Sequence, residues 1–215
     1  MNAHAADPAS SPAHPPRADA ASPADPIVSR LLETRTVLLF GTIDDALAAT
    51  VVARLVALDG LSTDPIRLVV SSPGGHVESG DAIHDIVRYL ASPVTMLGTG
   101  WVGSAATHVF LAAPRERRLC LPNTRFLIHQ PSGGIGGAST DVAIQAREIL
   151  RTRERIARVI ARETGQPPER VRDDIERDFW MTTDEALSYG LLGRVIERRA
   201  ELDREADGEE GDERR

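Results

Sequence analysis

Residues 100–111 read Gly-Trp-Val-Gly-Ser-Ala-Ala-Thr-His-Val-Phe-Leu, and the rest of the chain is organised around this stretch. The apolar run at 94–98 predicts a strand directly before it, and the apolar spacing after Ser104 predicts a helix. A serine on such a strand-to-helix turn exposes its hydroxyl, as nucleophilic serines do, and the preceding glycines allow a sharp turn. Taken alone, however, the stretch is more typical of a serine that caps a buried helix.

Alternating apolar runs and helical patterns surround this stretch. Strands are predicted at 35–41, 66–70 and 94–98, and a helical pattern follows each of them. Thr42 is a candidate cap for the helix predicted over 44–58. Short connections between alternating strands and helices indicate an α/β domain with a mostly parallel sheet. Further strands are predicted at 117–121, 125–128 and 194–196.

A long helix is predicted from Ser139 or Thr140, either of which can cap it, to about Glu163. One face carries apolar residues at helical spacing, which are Val142, Ala146, Ile149, Leu150, Ile156 and Ile160. The glycine-rich segment 133–137 before it is predicted to be extended or flexible. Because this helix is long for a small domain, we expect it to project and contact a partner.

The chain divides into three parts by composition. Residues 1–26 are rich in Ala, Pro, Ser and Asp and are predicted to be disordered, as either a removable leader or a solvated tail. A single domain is predicted over residues 27–196. Residues 197–215 carry dense mixed charge without apolar periodicity, which predicts a disordered tail.

Composition excludes several function classes. A formal net charge of -7 argues against nucleic acid as the main partner. A single cysteine, Cys120, rules out a disulfide within the chain and fits a reducing, cytoplasmic compartment. Its apolar neighbours predict a buried structural thiol. The N-terminus has no secretory signal pattern, and glycines and His108 within the apolar run 94–113 argue against a membrane span.

Three side chains could form one catalytic site with a glycine turn. Ser104 is joined by His129, which ends an apolar strand, and by Asp178, which precedes two aromatic residues. A partly buried aspartate needs a donor such as imidazole. Backbone N–H groups at Gly74-Gly75 could point into the site and stabilise an oxyanion. Each feature has an ordinary alternative: a structural histidine, a surface charge at a helix end, or a simple turn.

Four motifs taken together resemble ClpP, the proteolytic subunit family of the ATP-dependent Clp protease, whose members are serine peptidases. The resemblance covers about residues 29–196 with the order and spacing of the motifs kept. The resemblance also covers residues 145–150 on the predicted long helix and 185–191 near the end of the domain. The four motifs are Ser72-Pro73-Gly74-Gly75, the Gly-x-x-x-Ser run 100–104, Leu121-Pro122-Asn123 with Ile128-His129-Gln130-Pro131, and Glu176-Arg177-Asp178.

The resemblance implies a role for each matched residue. It makes Ser104 the nucleophile, His129 the general base and Asp178 the residue that orients the histidine. Gly75 and Ala105 would supply oxyanion-hole N–H groups, and Glu176-Arg177 would form a charged contact between rings. No metal and no cofactor is expected in this chain, because ATP is used by a partner and no phosphate-binding glycine-rich lysine loop is present.

The resemblance also implies a fold and an assembly. The fold would be a crotonase-like α/β spiral of β-α units with a projecting handle helix, about 139–163. Heptameric rings, homomeric or mixed, would stack in pairs as a tetradecamer and enclose the active sites. A hexameric AAA+ ATPase would feed unfolded polypeptides into this chamber, in the cytoplasm, for protein quality control.

The resemblance is incomplete at particular positions. Trp101-Val102-Gly103 and Ala105 differ from the usual residues around the serine, which affects expected substrate preference, and Arg67-Leu68-Val69 differs at the expected ATPase docking cleft. An acyl-CoA enzyme of the crotonase fold, with Glu78 as its carboxylate, and a non-catalytic or regulatory ring subunit remain alternatives. An esterase is disfavoured, because the Gly-x-Ser-x-Gly pattern is absent.

Overall fold

The computed structural model describes residues 25–131 and 138–203. The predicted glycine-rich segment 133–137 and most of both predicted tails lie outside these residues. In chain order the elements are α1 (Pro26–Glu33), β1 (Thr36–Phe40), α2 (Asp45–Leu61), β2 (Ile66–Ser72), α3 (Val77–Tyr89), β3 (Val94–Gly103), α4 (Ala105–Phe110), a 3₁₀ turn (Arg115–Arg117), β4 (Arg118–Cys120), β5 (Arg125–Ile128), α5 (Ser139–Thr164), α6 (Pro168–Asp174), β6 (Phe179–Met181), α7 (Thr183–Tyr189), β7 (Arg194–Val195) and α8 (Ala200–Asp203).

One sheet joins all these strands, and its main path runs β1-β2-β3-β4-β7 with every pair parallel. Strand β3 is long enough to serve two neighbours. Its first half pairs with β4, with Leu97 opposite Leu119, and its second half pairs with β5, with Val102 opposite Phe126. Strand β6 then adds to β5 in the antiparallel sense. The carboxyl ends of β3 and β5 therefore meet beside the start of β6.

The core follows the periods expected of its elements. Along β2 burial alternates, with the side chains of Ile66, Leu68 and Val70 fully buried. Helix α2 turns a single buried stripe towards the sheet, formed by Ala48, Val51, Leu55 and Leu58. Helix α4 is different, because all six of its residues are buried. The segment after Ser104 thus lies inside the domain, which fixes where the serine can point.

Helix α5 is confirmed over Ser139–Thr164, but its N-cap is Ala138 and not Ser139 or Thr140, and it ends at Gly165 in the left-handed conformation. Its two halves differ. The second half packs into the core through Ala157, Ile160 and Ala161, while the first half leaves apolar side chains exposed. The exposed residues are Val142, Ile144 and Leu150. The helix therefore projects from the domain, and its predicted apolar face is covered only near its C-terminal end.

The structure corrects three local predictions. Asp44, not Thr42, caps α2, because its carboxylate accepts a hydrogen bond from the Leu47 N–H at 2.8 Å. Residues 179–181, where the sequence pattern predicted no strand, form strand β6. Helix α8 lies within 197–203, where a solvated tail was predicted. Among the described residues no helix is both long and apolar enough to cross a membrane.

Candidate active site

Ser104 lies between β3 and α4 with φ 54° and ψ -121°, a backbone conformation that residues other than glycine rarely adopt. Such strain persists only where the surroundings hold it. Three contacts do so at this turn. The Ser104 N–H donates to the Leu127 carbonyl at 2.9 Å, and the buried Thr107 hydroxyl lies 2.9 Å from Val102 O and 2.8 Å from Leu127 O. The turn thus presents the serine hydroxyl from a fixed backbone.

His129 and Asp178 reach Ser104 from the next two strands. His129 follows β5 and Asp178 precedes β6, and the pairing of Ile128 with Phe179 brings the two side chains opposite each other. The His129 Nε2 lies 2.7 Å from Ser104 Oγ, and the Nδ1 lies 3.0 Å from Asp178 Oδ1. The three residues proposed from the sequence therefore form a continuous hydrogen-bonded chain.

The Gly74-Gly75 turn packs directly against Ser104. Gly74 has φ 95° and Gly75 has φ 155°, and Ile43 pairs with this turn by donating to the Gly74 carbonyl at 2.9 Å. A Cβ at Gly75 would overlap the Ile43 backbone, so only glycine fits there. A Cβ at Gly74 would come within 2.8 Å of the Ala105 nitrogen. The structure thus brings the backbone of Gly74-Gly75 next to that of Ala105.

The Gly75 and Ala105 N–H groups are suited to receive a developing negative charge. Ala105 is the first residue of α4, so its N–H has no acceptor within the helix. Gly75 donates no backbone hydrogen bond to any described residue. Donors held in advance at a site of charge development are the main feature of an oxyanion hole.

Glu176 and Arg177 lie beside the triad in different environments. The Glu176 carboxylate pairs with Arg153 of α5 at 2.5 Å. The Gln130 side chain donates to the backbone carbonyl of Glu176 at 2.9 Å. Arg177 forms no hydrogen bond or ion pair with any described residue. Together with His129 and Asp178 these residues line an open pocket of about 460 Å³. Glu176 and Arg177, which the resemblance predicted to act together, thus differ: among the described residues only Glu176 has an ion-pair partner.

Other candidate residues take no part in this arrangement. Cys120 is fully buried in β4, and burial raises the pKa of its thiol to about 11, as expected of a structural cysteine. Glu78, the carboxylate considered for an acyl-CoA enzyme, lies 3.2 Å from His76 Nε2 with its side chain 74% exposed. In 25–131 and 138–203 no group of three or more His, Cys, Asp and Glu residues could hold a metal ion.

Sequence reasoning missed two features of the site. One is Thr107, whose signal was a polar residue within a largely apolar buried helix. The other is an outer face on which Trp101 and Trp180 stack at 6.2 Å between ring centroids, with the Arg125 guanidinium 4.4 Å from the Trp180 ring centre. These residues come together only through the β3–β5 and β5–β6 pairings, which the sequence pattern did not specify.

Comparison with known proteins agrees with this geometry. The family model described as Clp protease matches residues 19–199. "ATP-dependent Clp protease proteolytic subunit 2" of Gluconobacter oxydans is 52% identical over 183 residues, covering 84% of this chain and 82% of that protein. Subunit 3 of Rhizobium etli is 50% identical, covering 81% and 90%. The structure of ClpP1 from Listeria monocytogenes has a TM-score of 0.74 and 45% identity, covering 82% of this chain and 99% of that one.

Fold and similarity together define a serine peptidase of the crotonase-like α/β type, built as a spiral of β-α units with a projecting handle helix. The chain belongs to the Clp protease family. It is a serine endopeptidase subunit of the Clp type, so the family and fold predicted from the sequence motifs are confirmed.

Proposed function

We propose that Ser104 is the nucleophile, His129 the general base and Asp178 the residue that orients the imidazole. The observation that carries this proposal is the pair of contacts at 2.7 Å and 3.0 Å that join Asp178 to Ser104 through the two nitrogens of His129. Neutral His129 takes the hydroxyl proton through Nε2 as Ser104 Oγ attacks the peptide carbonyl. The Asp178 carboxylate accepts from Nδ1–H and stabilises the imidazolium that forms.

The attack forms a tetrahedral intermediate, which breaks down when His129 gives the proton to the leaving group. The tetrahedral oxyanion is stabilised by the N–H groups of Gly75 and Ala105. Imidazolium His129 gives its proton to the leaving amine, and an acyl group stays on Ser104. Water, deprotonated by His129, then hydrolyses this ester and restores the hydroxyl. All these steps use side chains and backbone of this chain, so we propose that it needs no metal or cofactor of its own.

The proposed setting is a chamber formed by two stacked heptameric rings, homomeric or mixed. The first half of α5, with Val142, Ile144 and Leu150 exposed, supports a contact between rings, because large exposed apolar side chains on one element are typical of interfaces. Arg177, which has no partner among the described residues, is proposed to pair across that contact together with Glu176.

A separate AAA+ ATPase is proposed to bind ATP and deliver unfolded polypeptides to the chamber. The support is that several relatives are named "ATP-dependent Clp protease proteolytic subunit". We propose a cytoplasmic location, supported by the single, buried and unpaired cysteine. Neither nucleic acid nor a membrane is proposed as a partner, in keeping with the net charge of -7.

Active-site labelling tests the assignment. The intact protein is treated with a serine-reactive fluorophosphonate or β-lactone, digested and mapped. We expect one modified peptide carrying the adduct on Ser104, with loss of peptidase activity in proportion to labelling. The Ser104→Ala variant is expected to take no label and to lose on the order of 10⁶-fold in kcat. Labelling elsewhere, or normal hydrolysis by this variant, would overturn the assignment.

A further inference from the structure

An ionic cluster of the buried His108, the mostly buried Asp81 and the partly exposed Arg155 joins three helices. Asp81 of α3 contacts His108 of α4 through Oδ1, which lies 3.0 Å from His108 Nε2. The same carboxylate accepts hydrogen bonds from both terminal nitrogens of the Arg155 guanidinium, on α5, each at 2.6 Å. One side chain therefore ties together α3, α4 and the handle helix α5.

The contact with Asp81 fixes the orientation of the His108 ring. That side chain is only 7% exposed, and its Nδ1 is buried with no hydrogen-bond partner among residues 25–131 and 138–203. The ring face stacks on His84, with centroids 4.3 Å apart and 15° between the planes. Stacking fixes the plane of the ring but not its rotation within that plane. The contact of Nε2 with the Asp81 carboxylate at 3.0 Å supplies the rotation.

Asp81 is suited to this task because it stays ionised. Burial acts to raise the pKa of Asp81, but the hydrogen bonds and positive charges of His108 and Arg155 outweigh burial and hold it well below its usual range. A charge-assisted contact of this kind is shorter and stronger than a neutral one. The bidentate Arg155 contact also fixes the plane of the carboxylate.

His108 connects this cluster to the nucleophile. Its backbone N–H donates to the Ser104 carbonyl at 3.2 Å, so the two residues stand one helical turn apart. Helix α4 has only six residues and depends on its surroundings for stability. Thr107 holds α4 on the side of β3 and β5, while His108 holds it on the side of α3 and α5. The unfavourable backbone of Ser104 requires such support.

We propose that Asp81 is a positioning residue for Ser104. Asp81 fixes the position of α4 through its contact with His108, and its pairing with Arg155 makes that position depend on the second half of α5. This inference rests on the proposed nucleophilic role of Ser104. A change in how the handle helix α5 packs against the domain would then alter the geometry of acylation at Ser104 without any substitution of Ser104, His129 or Asp178. Neither Asp81 nor Arg155 touches substrate in this scheme.

The test compares two carboxylate-to-amide variants of the full-length protein. Asp81→Asn removes the charge that binds both His108 and Arg155. Glu154→Gln is the matched control, because Glu154, next to Arg155 on α5, forms a bidentate pair with Arg172 of α6 at 2.8 and 3.1 Å that does not involve α4. Sites are titrated with a fluorophosphonate, so that kcat is expressed per reactive serine. Hydrolysis of a short peptide supplies kcat and KM.

We expect Asp81→Asn to lower kcat per titrated site by about tenfold to a hundredfold, the cost of a small misplacement, with KM within about twofold of wild type. Glu154→Gln should leave both constants unchanged. Arg155→Lys keeps the charge but loses the planar contact, and it should lower kcat in the same direction by a smaller factor. The double variant should lose less than the product of the two single losses, since both act through one carboxylate.

Several results would overturn the inference. One is a normal kcat per site in Asp81→Asn, even with a lower melting temperature or fewer reactive sites, since that is the pattern of a purely structural residue. If Asp81→Asn does not fold, a normal kcat per site in Arg155→Lys has the same meaning. Activity retained by Ser104→Ala would refute the proposed function itself. An inactive Ser104→Ala beside a normal Asp81→Asn would refute only the positioning role.

Discussion

Gly74 packs directly against Ser104: a Cβ at position 74 would lie 2.7 Å from both the Ser104 Cβ and the Gly103 carbonyl oxygen. Real Cβ atoms do not approach this closely, so the glycine turn and the serine turn fit together only without a side chain at 74. Gly74 also has φ 95°, which other residues rarely adopt. The two motifs that lie far apart in sequence are thus parts of one close-packed site.

Replacing Gly74 with alanine should therefore damage the site. We expect Gly74→Ala to lower kcat by at least about a hundredfold, because the added methyl displaces the Ser104 turn. The backbone strain should also lower the melting temperature. Gly60→Ala is the matched control, since Gly60 lies in α2 with nothing within 4 Å of an added Cβ. It should leave kcat unchanged and stabilise the fold by about 1 kcal/mol. Wild-type kcat in Gly74→Ala would contradict the proposed packing.

Asp178→Asn tests the orientation of His129. The amide keeps the shape of the side chain but can present an N–H to Nδ1, which favours the wrong imidazole tautomer. We expect kcat to fall on the order of 10⁴-fold, the loss known for the same change in a trypsin-like triad. Circular dichroism and sedimentation should match the wild type. A nearly normal kcat in intact particles would mean that another group orients His129.

Cys120 should be chemically silent in the native protein. Burial raises its pKa to about 11, so at pH 8 only about one thiol in 10³ is ionised, and that thiolate is covered by the core. We expect no alkylation by iodoacetamide at pH 8 over hours, and full alkylation in guanidinium chloride. Stability should also fall above pH 9, since the unfolded thiol ionises at lower pH than the folded one. Rapid native labelling would show that β4 opens readily.

The parallel part of the sheet was predictable because its strands are short apolar runs between helices that bury both faces. Strand β6 was not, since Phe179–Met181 is too short to show a period and exists through pairing with β5. For the site, residue types and spacing nominated Ser104, His129 and Asp178, the resemblance to a peptidase family assigned their roles, and those roles stay a prediction. Residue types and spacing could not indicate the positive φ of Ser104, because serine has no preference for that conformation, nor the contact of Asp81 on α3 with His108 on the buried helix α4.

Arg177→Ala tests the proposed coupling between assembly and catalysis. Arg177 directly precedes Asp178 and forms no ion pair or hydrogen bond with the described residues, whereas Glu176 is held by Arg153 of α5. A partner for Arg177 on a facing ring would therefore fix the catalytic carboxylate from outside the chain. Such exposed pairs contribute under about 1 kcal/mol, but a displaced triad member costs far more in rate.

We accordingly expect Arg177→Ala to shift double rings to single rings and to lower peptidase activity in parallel, as measured by analytical ultracentrifugation beside a short-peptide assay. Arg172→Ala is the matched control, because the Arg172 side chain, 46% exposed, is paired within the chain to Glu154. It should leave both the sedimentation and the rate unchanged. Intact double rings with full activity in Arg177→Ala would show that Arg177 is a surface charge. Single rings with full activity per site would separate assembly from catalysis and place the support of Asp178 within one chain.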